Sequence, residues 1–215
     1  MPTSTPTPDR VLVVDDAATS VHLARVRDAS TSPTDFIRHA RQLGVHLGLA
    51  AVADLPVREV EVTTPLGPAP AREPAVPIVA VPVLRAGLGL LQGLQEALPT
   101  LVVGMLGLER DEETLEAREY YRNIPPAKGA WVLVLEPMLA TGGSAAAAVR
   151  SVADLEPARV TVVSVVATQQ AVDRILEADP EAHVVTAALD PGLDDNGFIV
   201  PGLGDFGDRL FGTPG

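Results

Sequence analysis

Two apolar periodicities alternate along the chain. VPIVAVPV (76–83), WVLVL (131–135), RVTVVSVV (159–166) and HVVTAAL (183–189) are nearly unbroken aliphatic runs, the pattern of strands buried on both faces. Between them lie AGLGLLQGLQEAL (86–98), SAAAAVRSVADL (144–155) and QQAVDRILEAD (169–179), which have helical spacing. LVVGML (101–106) adds another strand. Strands alternating with helices of this length predict βαβ units, hence an α/β domain with a mainly parallel sheet flanked by helices.

Ahead of this rhythm, Ser32 and Pro33 read as the N-cap and first position of a helix whose apolar face carries Phe36, Ile37, Ala40, Leu43, Leu47 and Ala50. VLVVDD (11–16) reads as a short strand or extended arm, and REVEVTT (58–64) as a strand with one wet face. TPLGPAPAREPAVP (64–77) reads as a proline-rich connection, residues 1–9 as a disordered Ser/Thr/Pro tail, and residues 190–215 as glycine-rich loop. The expected organisation is the tail, then one domain over 10–215.

In open parallel sheets, ligands sit at the carboxyl ends of strands. Three strand ends carry suitable chemistry. After WVLVL comes Glu136, then Pro137-Met138-Leu139-Ala140, then Thr141-Gly142-Gly143-Ser144 at a helix start. Either this is only a flexible βα turn, or free backbone N–H groups there, with the helix dipole, favour a phosphate and Glu136 is placed to accept from sugar hydroxyls. The P-loop lysine is missing. The second strand end is Arg85-Ala86-Gly87-Leu88-Gly89, a cation beside open backbone. Gly87, Gly89 and Gly93 also resemble a dinucleotide fingerprint, with Glu109 as its ribose acid. The third is the polar excursion 109–128, either a solvated face or an arm carrying Arg110 to an anion. GLGDFG (202–207) is rejected as a fingerprint because too little chain follows it.

Composition removes several alternatives. The net charge is −12 and Lys128 is the single lysine, which argues against a nucleic-acid partner. There is no cysteine, so thiolate chemistry is excluded. The apolar runs are too short to span a bilayer and the N-terminus lacks a signal-peptide core, so a cytoplasmic protein is expected. The four histidines are read as not converging, with His39 and His46 flanking the core face of their helix. No Gly-x-Ser-x-Gly elbow offers a nucleophile.

VPVLRAGLGLL, VGM followed by ERDEETLE, EPMLATGGS and GFIVPGLGDFGDRLFGT together resemble, in order, the uracil phosphoribosyltransferase family, over roughly residues 35–213. The resemblance implies a type I phosphoribosyltransferase fold with a projecting arm (about 109–128) and a C-terminal hood (about 190–213). It implies transfer of ribose 5-phosphate from phosphoribosyl pyrophosphate (PRPP) to uracil, giving UMP and pyrophosphate, with Mg2+ held mainly by substrate oxygens. It further implies a homodimer or larger homo-oligomer, and GTP as an effector. On the matching positions, Glu136 to Ser144 would bind PRPP. Arg85, Arg110 and Asp205 would be catalytic and PRPP-binding, and Ile199, Gly204, Asp205 and Phe206 would bind the base.

The chain also departs from the family pattern. Glu136 stands for an Asp, Phe206 for a small residue beside the base, Phe198 for a Tyr, Glu109 for a Tyr, Ala117-Arg118-Glu119 for a Pro-Val-Pro-like step, and Thr168-Gln169-Gln170 for Pro-Glu-Gly. The segment VVDDAATSVHLARVRDAS replaces a basic one containing His-Pro-Leu. Besides uracil transfer, these changes leave open a different base acceptor or a catalytically silent nucleotide-binding relative.

Overall fold

The computed structural model describes residues 10–110 and 117–213. In chain order its elements begin with β1 (Val11–Val13), α1 (Ala17–Arg27), α2 (Pro33–Ala51), β2 (Val57–Thr64) and β3 (Gly67–Pro74). Next come β4 (Ile78–Leu84), α3 (Leu88–Ala97), β5 (Val102–Val103), β6 (Met105–Arg110) and β7 (Ala117–Asn123). Then follow β8 (Trp131–Leu135), β9 (Met138–Leu139), α4 (Gly143–Ala153), β10 (Arg159–Thr168) and α5 (Gln169–Ala178). The chain closes with β11 (His183–Asp190), β12 (Gly192–Leu193), β13 (Ile199–Val200) and α6 (Phe206–Phe211). The predicted tail over 1–9 lies outside the described residues.

The main sheet runs β1-β11-β10-β8-β4-β6-β7, with β5 beside β4 and β9 beside β10. All pairings are parallel except β6 with β7. The central strands read as continuous aliphatic runs because both faces are covered. On one side Ala80, Leu133 and Val165 pack with Phe36, Leu43, Leu47, Leu90 and Leu94. On the other, Val81, Val134 and Val162 pack with Val149, Val152, Val172 and Ile175. Fully burying one such side chain stabilises the fold by about 1.5–3 kcal/mol.

The Ser32 cap forms as expected, its hydroxyl accepting from the Asp35 N–H at 3.2 Å. Phe36, Ala40, Leu43 and Leu47 are buried, whereas Ile37 is 40% exposed. Small residues set how closely α2 and α3 approach. A Cβ at Gly93 would lie 1.9 Å from the Arg41 carbonyl oxygen, and one at Gly44 would lie 2.3 Å from that of Leu90. The glycines that imitate a dinucleotide fingerprint are thus explained by packing: Gly93 by this contact, and Gly89 by a Cβ position 2.7 Å from the Phe206 ring.

Three segments differ from their expected form. The proline-rich connection is strand β3, paired antiparallel with β2 in a separate two-stranded sheet. Its prolines are tolerated because a two-stranded ribbon leaves one edge of each strand unpaired, where a missing N–H costs nothing. The residues after β1 form α1, which the pattern did not predict because the apolar residues of AATSVHLARVR do not gather on one face. Its start is set locally, with Asp16 Oδ1 accepting from the N–H groups of Ala18 at 2.9 Å and Thr19 at 3.1 Å. The C-terminal stretch is also not all loop. β12 and β13 form a small antiparallel pair, and Asp205 caps the short helix α6. No helix among the described residues is long and apolar enough to cross a membrane.

Candidate active site

Three chain segments meet at the carboxyl ends of β4 and β8. The Arg85–Gly87 turn lies against the end of β8, since a Cβ at Gly87 would sit 2.4 Å from the Leu135 carbonyl oxygen. The C-terminal segment joins it through Gly207, whose Cβ position is 3.9 Å from that of Ala86. Arg85, exposed after a cis peptide bond with Leu84, reaches Asp208 at 3.8 Å and stands 5.4 Å over the Phe211 ring.

The third segment is the glycine cradle. The Glu136 N–H donates to Val163 at 3.1 Å, and the Pro137 carbonyl accepts from the Ser164 hydroxyl at 3.0 Å, which holds the chain to β10 as it leaves β8. Pro137 and Leu139 are buried, so what they can offer a ligand is backbone. Gly142 has φ +76° and abuts the Ala171 backbone, where a Cβ would be 2.8 Å away. Both conditions call for glycine, and they aim the first N–H groups of α4 outward. The Thr168 hydroxyl donates to the Ala140 carbonyl at 2.6 Å and accepts from the Ala171 N–H at 3.1 Å. One side chain therefore caps α5 and ties it to the cradle. A cavity opens here between Thr141, Gly143 and Ser144, Arg174 of α5, and Glu109 and Ala117 at the arm's base.

Glu136 is half-buried, but its Oε2 is enclosed with no hydrogen-bond partner among the described residues. Burial pushes its carboxyl up to about 8. An enclosed and unmatched oxygen at a strand end is a buried polar group that calls for a partner. Asp205 is exposed and accepts from the Asp208 N–H at 2.8 Å. Arg110 ends β6, paired in register with Ala117. Glu109 and Ala117 line the cradle, which places the foot of the hairpin arm at the site. The rest of the arm's turn lies outside the described residues.

The positions that the resemblance assigns to the base divide by atom. Gly204 is exposed with φ +76°, while Ile199 is only 4% exposed and its side chain joins the core. Phe206, expected to reshape a base pocket, is 1% exposed and packs edge-on against Phe36 with ring centroids 5.1 Å apart. Its ring belongs to the core because α6 turns that face towards α2 and α3, so what it leaves at the surface is backbone.

The histidines also differ from expectation. The Nδ1 atoms of His22 and His39 are 2.9 Å apart, and the rings of His22 and His46 are 5.7 Å apart. Helix α1, absent from the sequence reading, carries His22 to the other two. Burial, then the neighbouring His39 and His46, hold His22 below its ordinary value. Among the described residues, no group of three or more His, Asp or Glu side chains is arranged to hold a metal.

Pattern reading missed Arg27, Asp190, Arg209 and Arg174, and met Thr168 only as a departure from the family pattern. Arg209 donates to the carbonyl of Leu203 at 2.8 Å and that of Asp28 at 2.7 Å, bonds that of Val26, and stacks 4.5 Å over Phe36. It thereby pins the C-terminal segment to α1. Isolated arginines in polar surroundings give no periodic signal. The TQQ step after β10 was the one available hint of Thr168 and Arg174.

A parallel sheet with a glycine cradle at one strand end, a cation at the next and a capping C-terminal segment defines the class, a type I phosphoribosyltransferase fold. The family model for uracil phosphoribosyltransferase matches residues 13–213. The uracil phosphoribosyltransferase of Alkaliphilus oremlandii is 40% identical over 206 residues, 95% of this chain and 99% of that one. That of Caulobacter vibrioides is 42% identical over 205 residues, 94% of this chain and 98% of its own. Among solved structures, the AQ2163 protein of Aquifex aeolicus superposes with a TM-score of 0.89 at 36% identity, covering 94% of this chain and 97% of that one. A Staphylococcus aureus hypoxanthine phosphoribosyltransferase, at TM-score 0.52 and 15% identity over 80% of this chain and 82% of its own, shares the fold alone. The chain belongs to the uracil phosphoribosyltransferase family.

Proposed function

We propose that this chain transfers the 5-phosphoribosyl group of PRPP to N1 of uracil, giving UMP and pyrophosphate. The observation that carries this is the glycine cradle at the head of α4 beside the enclosed Glu136, in a chain whose family match covers residues 13–213. In the reaction, the C1′–O bond to pyrophosphate breaks, the C1′–N1 bond forms and the N1 proton leaves. The transition state resembles a ribosyl oxocarbenium ion, so the protein's work is positioning and stabilisation of charge.

The N–H groups from Ala140 to Ser144 bind the 5′-phosphate, and Glu136 meets the ribose hydroxyls. Arg85 and Arg110 neutralise the departing pyrophosphate. The backbone at Ile199 and at Gly204 to Phe206 reads the edge of the base, with Asp205 facing PRPP. Glu136 and Asp205 are scattered acids rather than a ligand cage, a donor set that fits Mg2+ carried mainly on substrate oxygens. When bound, the ion supplies charge neutralisation on the pyrophosphate.

Self-association, GTP response and a cytoplasmic setting are part of the proposal. Val57 and Val62, half exposed, and Leu66, fully exposed, on the separate β2–β3 hairpin support a subunit contact. Light scattering and rates measured with GTP test the first two.

The deciding experiment is Mg2+-dependent pyrophosphate release from PRPP with uracil and other bases, products identified by mass. UMP from uracil is expected. Turnover only with another base would mean a rebuilt acceptor site. No product from any base, with PRPP or UMP still bound in calorimetry, would mean a silent relative.

A further inference from the structure

Arg174 of α5 belongs to neither the glycine cradle nor any motif of the family resemblance, yet it is placed over the phosphate end of the site. Ala171 packs its backbone against Gly142, and Arg174 lies three residues on, on the same side of α5. Its Nη1 is 3.4 Å and its Cζ 3.8 Å from where a Cβ of Gly143 would be, and Thr141 Oγ1 is 3.7 Å from that same point. A guanidinium and a hydroxyl thus flank one patch of bare backbone at the head of an eleven-residue helix. Thr168 holds this arrangement in register, because it caps α5 and bonds the Ala140 carbonyl.

We infer that Arg174 is an additional ligand of the 5′-phosphate of PRPP and of UMP, contributed by α5 rather than by the cradle. This rests on the proposed function. Arg174 is exposed, so a solvated surface arginine is the plain alternative, and its placement is what weighs against it. The guanidinium lies against the cradle and lines its cavity together with Thr141, Gly143 and Ser144. Among the described residues, no ion pair takes it elsewhere. The adjacent Asp173 is engaged with Gln169 at 2.8 Å instead. The protein carries a net charge of −12, so a phosphate dianion approaching α4 needs a local cation beyond the helix dipole. A planar guanidinium suits two phosphate oxygens at once.

The test compares wild type with Arg174→Gln and Arg174→Lys, reading UMP affinity by calorimetry, KM for PRPP, KM for uracil, and Tm. In the Gln variant, UMP binding is expected to weaken about tenfold, the size of one charged hydrogen-bonded contact. KM for PRPP should rise by a similar factor while KM for uracil and Tm stay put, and Lys should recover part of the loss. UMP affinity within twofold of wild type would overturn the inference while leaving the proposed function standing. Equal losses for PRPP and uracil would also overturn it, as general damage to the site. Wild-type protein binding neither PRPP nor UMP would overturn the proposed function and this inference together.

Discussion

Arg27 of α1 grips Asp190 at the end of β11 with both arms of its guanidinium, at 2.8 and 2.7 Å, and also donates to the Gly202 carbonyl at 2.8 Å. The Gly202 N–H closes the ring onto Asp190 at 3.0 Å. This network joins the first helix to the segment that caps the active site. The Asp190 side chain is 6% exposed, so Arg27 is the counter-charge that stands in for water there.

Arg27→Ala leaves a nearly buried carboxylate unpaired, a change that typically costs about 3 kcal/mol. For a chain of this size that corresponds to a fall in Tm of very roughly 6–12 °C. Because the network holds the segment proposed to read the base, KM for uracil should rise as well. Thermal melts and steady-state rates check both, and an unchanged Tm would mean that the pair contributes nothing.

Glu136 gives a pH dependence of definite sign. Its carboxyl holds a proton up to about 8 in the fold, against an ordinary value of 4.5. As pH rises from about 4.5 to about 8, the unfolded chain releases that proton first, so stability falls across this window. Glu136→Gln stays neutral at every pH and should lose this part of the decline. Tm measured from pH 5 to 8 for both proteins would show it as a flatter curve for the variant.

His22 acts in the opposite direction. Its value in the fold is held below the ordinary 6.5, so as pH falls below 6.5 the unfolded chain takes up the proton more readily. Stability is lost on acidification and regained towards neutral pH. His22→Gln should flatten the acid side of the Tm profile, with little change at pH 8.

Thr168→Val removes the hydroxyl that bonds the Ala140 carbonyl and caps α5. The expected cost is about 1 kcal/mol. KM for PRPP should increase with little effect on KM for uracil, and Thr168→Ser should restore wild-type values. Equal effects of Val and Ser would remove the hydroxyl from the explanation.

Gly93→Ala tests the close approach of α2 and α3. A methyl group only 1.9 Å from the Arg41 carbonyl oxygen forces the helices apart. Overpacking of this kind costs about 1–3 kcal/mol, and denaturant melts should show the loss even though alanine favours a helix.

The parallel sheet, its helices and the cradle were legible in the sequence because each rests on local rules. Aliphatic runs mark doubly covered strands, Ser32-Pro33 marks a helix start, and Gly142-Gly143 marks backbone that must stay open. Helix α1, the strand hidden in the prolines of β3, the burial of Phe206 and the meeting of His22 with His39 and His46 were not legible. Each depends on partners distant in sequence: α1 is held to the C-terminal segment by Arg27 and Arg209, and Phe206 is turned inward by Phe36 and Gly89. By itself, then, the sequence determined which strands are buried and where backbone stays open at a helix start, since periodicity and backbone freedom are properties of neighbouring residues. Only the tertiary structure decided which arginines reach the site and which aromatic side chain leaves it, because charge pairing and core packing act across space rather than along the chain.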